Sequence, residues 1–182
     1  MRSRHRWICF GLAATAAVAA GSLAAAATEP VTIASAIPYA EGSELEVVRD
    51  TVRNQCQLQE KLSESIAQNA QKMKIPVTRS SESLDGATGR VLKIEITKAI
   101  ARAGGLYSGV KQVHVVGRLE KGGEVIGSFD GKRSASGGVF AQFRSTCGIV
   151  QQCVKVLGKD ISKWLEQPTV GARIGELAVR NK

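Results

Sequence analysis

Beyond Ala27 the chain has a single histidine, His114, and three cysteines, Cys56, Cys147 and Cys153. Those four side chains are the types a tetrahedral zinc site would use. Cys147 and Cys153 stand six apart, however, with a lone and distant histidine, which matches no compact ligand pair, so no metal is expected. A serine or cysteine hydrolase needs an imidazole within reach of its nucleophile and a third group to orient it. His114 lies in a strand-like stretch with no such signature on either side. Ser108-Gly-Val-Lys111 fits S-x-x-K, the nucleophile pattern of penicillin-binding enzymes, but no Ser-Asp-Asn or Lys-Thr-Gly follows it. Gly127-Ser-Phe-Asp-Gly131-Lys132-Arg133 approaches a phosphate loop, yet has three residues between the glycines where four are needed and Arg where Ser or Thr would hold magnesium. The acid pairs Glu44/Glu46 and Glu82/Asp85 fall in polar loop sequence, a poor setting for the two fixed carboxylates of glycoside chemistry. No catalytic residue, cofactor or metal ligand is assigned, and the chain is read as a non-enzyme.

The 182 residues are 43% hydrophobic and 23% charged, enough for one ordinary domain. Arg2, Arg4 and Arg6 precede an apolar run from Ile8 to Ala20 and then Ala24-Ala25-Ala26-Ala27. A positive start, an apolar middle and small residues at the end make a secretory signal. The run is shorter than the roughly 20 apolar residues of a spanning helix, and no second one follows. Residues 1–27 are therefore expected to be a signal peptide, giving a periplasmic or secreted product without a membrane span. Cys9 precedes the apolar run and is badly placed to become a lipid-bearing terminus.

Export changes what the cysteines mean, because an oxidising compartment lets thiols pair. If Cys147 and Cys153 share a helix, a rise of about 1.5 Å per residue separates them by roughly 9 Å, beyond the roughly 7 Å limit for a bridge. A disulfide should then use Cys56, with Cys147 or Cys153 as its partner. Periodicity does not separate the two, and three reduced thiols are the remaining possibility. The reading taken pairs Cys56 with Cys147 and leaves Cys153 buried and free.

The elements that carry these residues follow from periodicity. Val31 to Ile37 is β-branched and stops at Pro38, as a strand would. Leu58, Leu62, Ile66, Asn69 and Met73 recur at helical steps, so a helix is expected from about Asn54 to Lys74, closed by Pro76. Ile75 to Thr78 is a short strand, and Arg79 to Gly89 is turn chemistry. Three alternating strands follow: Leu92, Ile94 and Ile96; Val113 and Val115; Val125 and Phe129. Gly122-Gly123 turns the second into the third. Val150, Val154, Leu157, Ile161, Trp164 and Leu165 stripe a second helix that ends before Pro168. The expected fold is α+β: a two-layer, mostly antiparallel sheet of four to five strands with two helices packed on one face. Residues 28–168 form this single domain, and 169–182, lacking any period, a weakly ordered tail.

Between Arg90 and Arg144 there are ten Lys and Arg against four acids, whereas the rest of the chain after Ala27 holds twelve of each. If the apolar positions meet the helices, then Lys93, Thr97, Gln112, His114, Arg118, Ser128 and Lys132 share the other face, and that face would attract anions. Of these, Lys93, Gln112, His114, Arg118 and Lys132 are the candidate binding residues. Nucleic acid is not expected, since the chain is exported and only Tyr107 could stack near that face.

From about Asn54 to Gln167 the chain resembles small exported proteobacterial proteins of unknown function. Cys56-Gln-Leu58 with Lys61-Leu62, the strand Arg90 to Ile96, Gly127-Ser-Phe129, and Thr146-Cys147-Gly-Ile-Val-Gln-Gln-Cys153 running into Leu157 to Ile161 and Trp164-Leu165 carry that resemblance. It implies an envelope location and a compact domain, and no activity. In layout the chain is also similar to the amino-terminal domain of TolB and to LpoB-type lipoprotein activators. The expected function is an accessory or binding role in the cell envelope toward an unknown envelope protein or anionic component, with an unidentified enzyme or a cysteine-based redox or metal-handling protein as alternatives.

Overall fold

A computed structural model describes residues 29–41, 55–100, 110–135 and 145–178. The expected signal peptide, Asn54 and Ser108 lie outside the described residues. Six strands and two helices make up the described part: β1 (Val31–Ala34), α1 (Leu58–Lys72), β2 (Val77–Ser80), β3 (Arg90–Ile100), β4 (Lys111–Lys121), β5 (Glu124–Ala135), α2 (Thr146–Trp164) and β6 (Ala172–Gly175). All six strands form one sheet in the order β2-β1-β3-β4-β5-β6.

The α+β class and the two helices are as expected, but the sheet differs. It is mixed, with β3, β4 and β5 antiparallel in the centre and parallel pairs β2/β1, β1/β3 and β5/β6 toward the edges. The reason is connectivity. β1 reaches β2 through α1, and β5 reaches β6 through α2, and a helical crossover returns the chain in the same direction. The sixth strand comes from the segment expected to be a loose tail. β6 has four residues and one apolar anchor, Ile174, which is too little for a period, yet Ile174 is buried and joins the core.

Both helices pack on the same side of the sheet. α1 buries Leu58, Leu62, Ile66 and Ala70, and α2 buries Val150, Val154, Leu157 and Ile161 against Ile33, Leu92, Ile96, Val113, Val115 and Leu119. Small polar residues line the contact between the helices. Ser65 Oγ donates to the Lys155 carbonyl (2.9 Å), and Ser162 Oγ has the carbonyls of Gly158 (2.8 Å) and Ile66 (3.0 Å) as acceptors for its one proton, so both hydroxyls are satisfied. Ser145 caps α2 by accepting from the Gly148 amide. Gly122 and Gly123 both have positive φ, as the two central residues of a mirror-image hairpin turn require.

Cys56 and Cys147 form a disulfide that joins the start of α1 to the first turn of α2. Cys153, the alternative partner of Cys56, is a buried free thiol, and its Sγ lies 3.9 Å from the Lys111 carbonyl.

Candidate binding face

The face of the sheet turned away from the helices is organised in rows set by the strand register. Lys93, Arg118 and Ser128 form one row across β3, β4 and β5. Glu95, Val116 and Asp130 form the next, Lys98, His114 and Lys132 the third, and Ile100, Gln112 and Ser134 the last. No described helix lies on this face. The five candidate residues Lys93, Gln112, His114, Arg118 and Lys132 all stand on it, in two groups at opposite ends.

At one end Lys93 and Arg118 are direct cross-strand partners, held by acids. Glu120 bonds Lys93 at 3.1 Å and Arg118 at 2.9 Å, and Asp85 reaches Lys93 at 3.4 Å. Both carboxylates raise the Lys93 pKa, the bond to Glu120 most of all. The Asp85 contact brings the loop after β2 over this end. A cleft of about 430 Å³ lies between that loop, Ser35 to Pro38 and β3, where β1 leaves β3 after Ile33 and the chain rejoins it through Tyr39 and Ile96. Its charged lining is three acids, Glu82, Asp85 and Glu95, against two bases, Lys93 and Arg118, so this end carries no positive excess.

At the other end His114 is the direct partner of both Lys98 and Lys132. Burial, then Lys132, then Lys98 hold the imidazole below its ordinary pKa, opposed by Asp130 and Glu176. Glu176, just after β6, accepts from the amide and hydroxyl of Ser134 at 2.7 and 2.8 Å. Those bonds and the neighbouring Lys132 and Arg133 lower its own pKa, although burial works the other way. Asp130 pairs in register with Arg173 of β6. Lys132 makes no ion pair among the described residues.

Lys98 was not among the expected site residues, and the reason is geometric. Alternation from Leu92, Ile94 and Ile96 carries position 98 to the helix side. A register shift between Ile96 and Lys98 turns it to the open side and buries Ala99 instead. The small residue Ala99 beside Ile100 is the one local hint of that slip.

The positive excess of the 90–144 segment is only partly on this face. Lys111 is 1% exposed on the helix side. Arg133 also points there and forms a bidentate pair with Asp160 of α2 at 2.7 and 3.0 Å. Lys121 is paired with Glu29 at 2.6 Å. Arg102 and Arg144 lie outside the described residues.

The zinc set considered from sequence is not assembled, since Cys56 and Cys147 are bonded to one another. Among the described residues no group of three His, Cys, Asp or Glu side chains comes together, and no helix is long and apolar enough to cross a membrane.

No family model matches the chain, and no curated protein does. Solved structures are weakly similar in fold. A PelC dodecamer from Paraburkholderia phytofirmans is 14% identical over 74% of this chain and 89% of that one, with a TM-score of 0.45. A minor lipoprotein from Acinetobacter baumannii is 11% identical over 76% and 92%, with a TM-score of 0.43. An uncharacterized protein is 15% identical with a TM-score of 0.44 over 60% of this chain, which spans 64% of that structure's length. TolB and the LpoB-type activators are not named among these structures.

Proposed function

We propose that this protein is a non-enzymatic accessory domain of the cell envelope that holds an anionic component or an acidic protein partner on the open face of its sheet. The observation that carries the reading is the row Lys98, His114 and Lys132, three bases in direct register on a face that no described helix covers. A fixed row of bases on a rigid sheet concentrates positive potential and attracts anions. A periplasmic or secreted location is supported by the paired Cys56 and Cys147, since disulfides persist in oxidising compartments, and by the signal-like order of residues 1–27.

Charge reversal tests it. Lys98→Glu with Lys132→Glu should abolish a salt-sensitive pull-down from envelope extract, while Lys155→Glu, on the exposed side of α2, should leave it intact. Equal capture by all three proteins would sink the reading.

A further inference from the structure

His114 is placed differently from the other candidates. It stands between two lysines at directly opposed positions, where like charges disfavour one another. The charged groups around it are Lys98 from β3, Lys132 and Asp130 from β5, and Glu176 after β6. Of the two acids, Glu176 is engaged by Ser134, and Asp130 stands one row away, opposite Arg173 in the backbone register of β6. Gln112 and Ser134 continue the same face in the next row. Neighbouring strands lie about 4.8 Å apart, so the three bases span roughly 10 Å, and a guest seated over the middle strand is within reach of both flanking lysines.

We infer that His114 and Lys132, with Lys98 beside them, form a site for a doubly charged tetrahedral oxyanion of the phosphate monoester type, and that the guest binds together with a proton taken up by His114. This rests on the reading of the open face as an anion-binding surface and narrows it to one end, one chemistry and one control. Unoccupied, the site keeps the imidazole neutral, because a third positive charge in the row would be repelled and partly desolvated. Two negative charges placed over the row remove that penalty. Protonated His114 then donates from both ring nitrogens instead of one. By linkage, a doubly charged guest that favours the charged imidazole and takes up no proton itself must bind more tightly as pH falls.

Sulfate is the probe, since it has the charge and shape of the monoester and does not itself titrate near neutrality. In a His5→Gln chain, whose only imidazole is His114, the ring resonances are followed against pH in sulfate and in chloride at equal ionic strength. The expected result is a His114 pKa that rises in sulfate and a sulfate affinity about tenfold higher at about pH 5.5 than at about pH 7.5. His114→Gln should flatten that dependence with unfolding unchanged near neutral pH, and Lys132→Gln should weaken binding at both values. Phosphatidylcholine vesicles with and without phosphatidate distinguish the sources. Capture by phosphatidate assigns a lipid headgroup, and a sulfate response without capture assigns a soluble monoester. Identical titrations in sulfate and chloride, or a pH dependence that survives His114→Gln, would overturn the inference whether or not an envelope partner is captured.

Discussion

Phe129 lays its ring across Gly117, its direct partner on the neighbouring strand, in the space where any side chain at position 117 would begin. The ring meets Trp164 of α2 edge to face, with centroids 4.9 Å apart and planes at 69°. The bare glycine thus seats an aromatic pair that joins sheet to helix, an arrangement worth about 0.5 to 1.5 kcal/mol beyond its buried area. Gly117→Ala should push Phe129 off Trp164 and destabilise by about 1 to 3 kcal/mol, read from the urea midpoint and from the near-ultraviolet signal of Trp164. An unchanged midpoint would contradict the packing described.

The Cys56–Cys147 bridge closes a loop across 91 residues of sequence. On the chain-entropy argument its loss costs up to about 4 to 5 kcal/mol. Urea unfolding with and without reductant should show a drop of that order, and Cys56→Ala with Cys147→Ala should reproduce it. A drop below about 1 kcal/mol would mean that strain or residual structure in the unfolded chain cancels the constraint.

Burial pushes the Cys153 thiol up to about 11. The thiolate is the reactive form, so in a Cys9→Ser chain a thiol reagent at mildly alkaline pH should find nothing in the folded protein and one thiol in denaturant. Two additional thiols in denaturant would show that the disulfide had not formed.

Gly158 in α2 faces Ser65 of α1, and a methyl at 158 would collide with the Ser65 hydroxyl and approach its Cβ to 2.6 Å. In an exposed helix Gly→Ala gains about 1 kcal/mol. Here the sign should reverse, with Gly158→Ala destabilising by about 1 to 3 kcal/mol in the same urea assay. A gain would mean the helices can separate at little cost.

His114 has a folded pKa below its ordinary 6.5, through burial first and Lys132 second. Between those two values the unfolded chain binds the extra proton and the folded chain does not, so stability falls as pH drops below about 6.5 and is level above it on this group's account. His114→Gln should remove that part of the acid slope while leaving stability near neutral pH alone, measured by thermal unfolding at low ionic strength. An unaltered slope would place the acid sensitivity elsewhere.

Much of this fold was legible because its period is strong. Leu92 to Ile96, Val113 to Val115 and the stripe from Val150 to Leu165 all fell on the sides expected, and the Gly122-Gly123 turn is where the sequence puts it. What periodicity could not supply was direction and charge pairing. Nothing local to Val31 or Ile174 says that its strand runs parallel to its neighbour, since that is decided by the helix in between. The face of the candidate site was legible, but its division was not. Glu120 pairs with Arg118 two residues back on its own strand but reaches Lys93 only across the β3/β4 pairing, and the bulge after Ile96 hands Lys98 to the open side against the alternation. A count of lysines along the chain therefore overstates the potential at one end of the sheet and misses its centre at the other.

Ile174 reaches Gly131 only after the whole of α2 has intervened, and it covers the end of the core beside Val115. During synthesis from the amino end, every earlier strand has emerged before this cover arrives. Nascent or clipped molecules that stop at Pro168 would carry an exposed β5 edge and an uncapped apolar patch, an invitation to illegitimate strand pairing. Proteases that trim the carboxyl end would thus act on solubility as much as on stability.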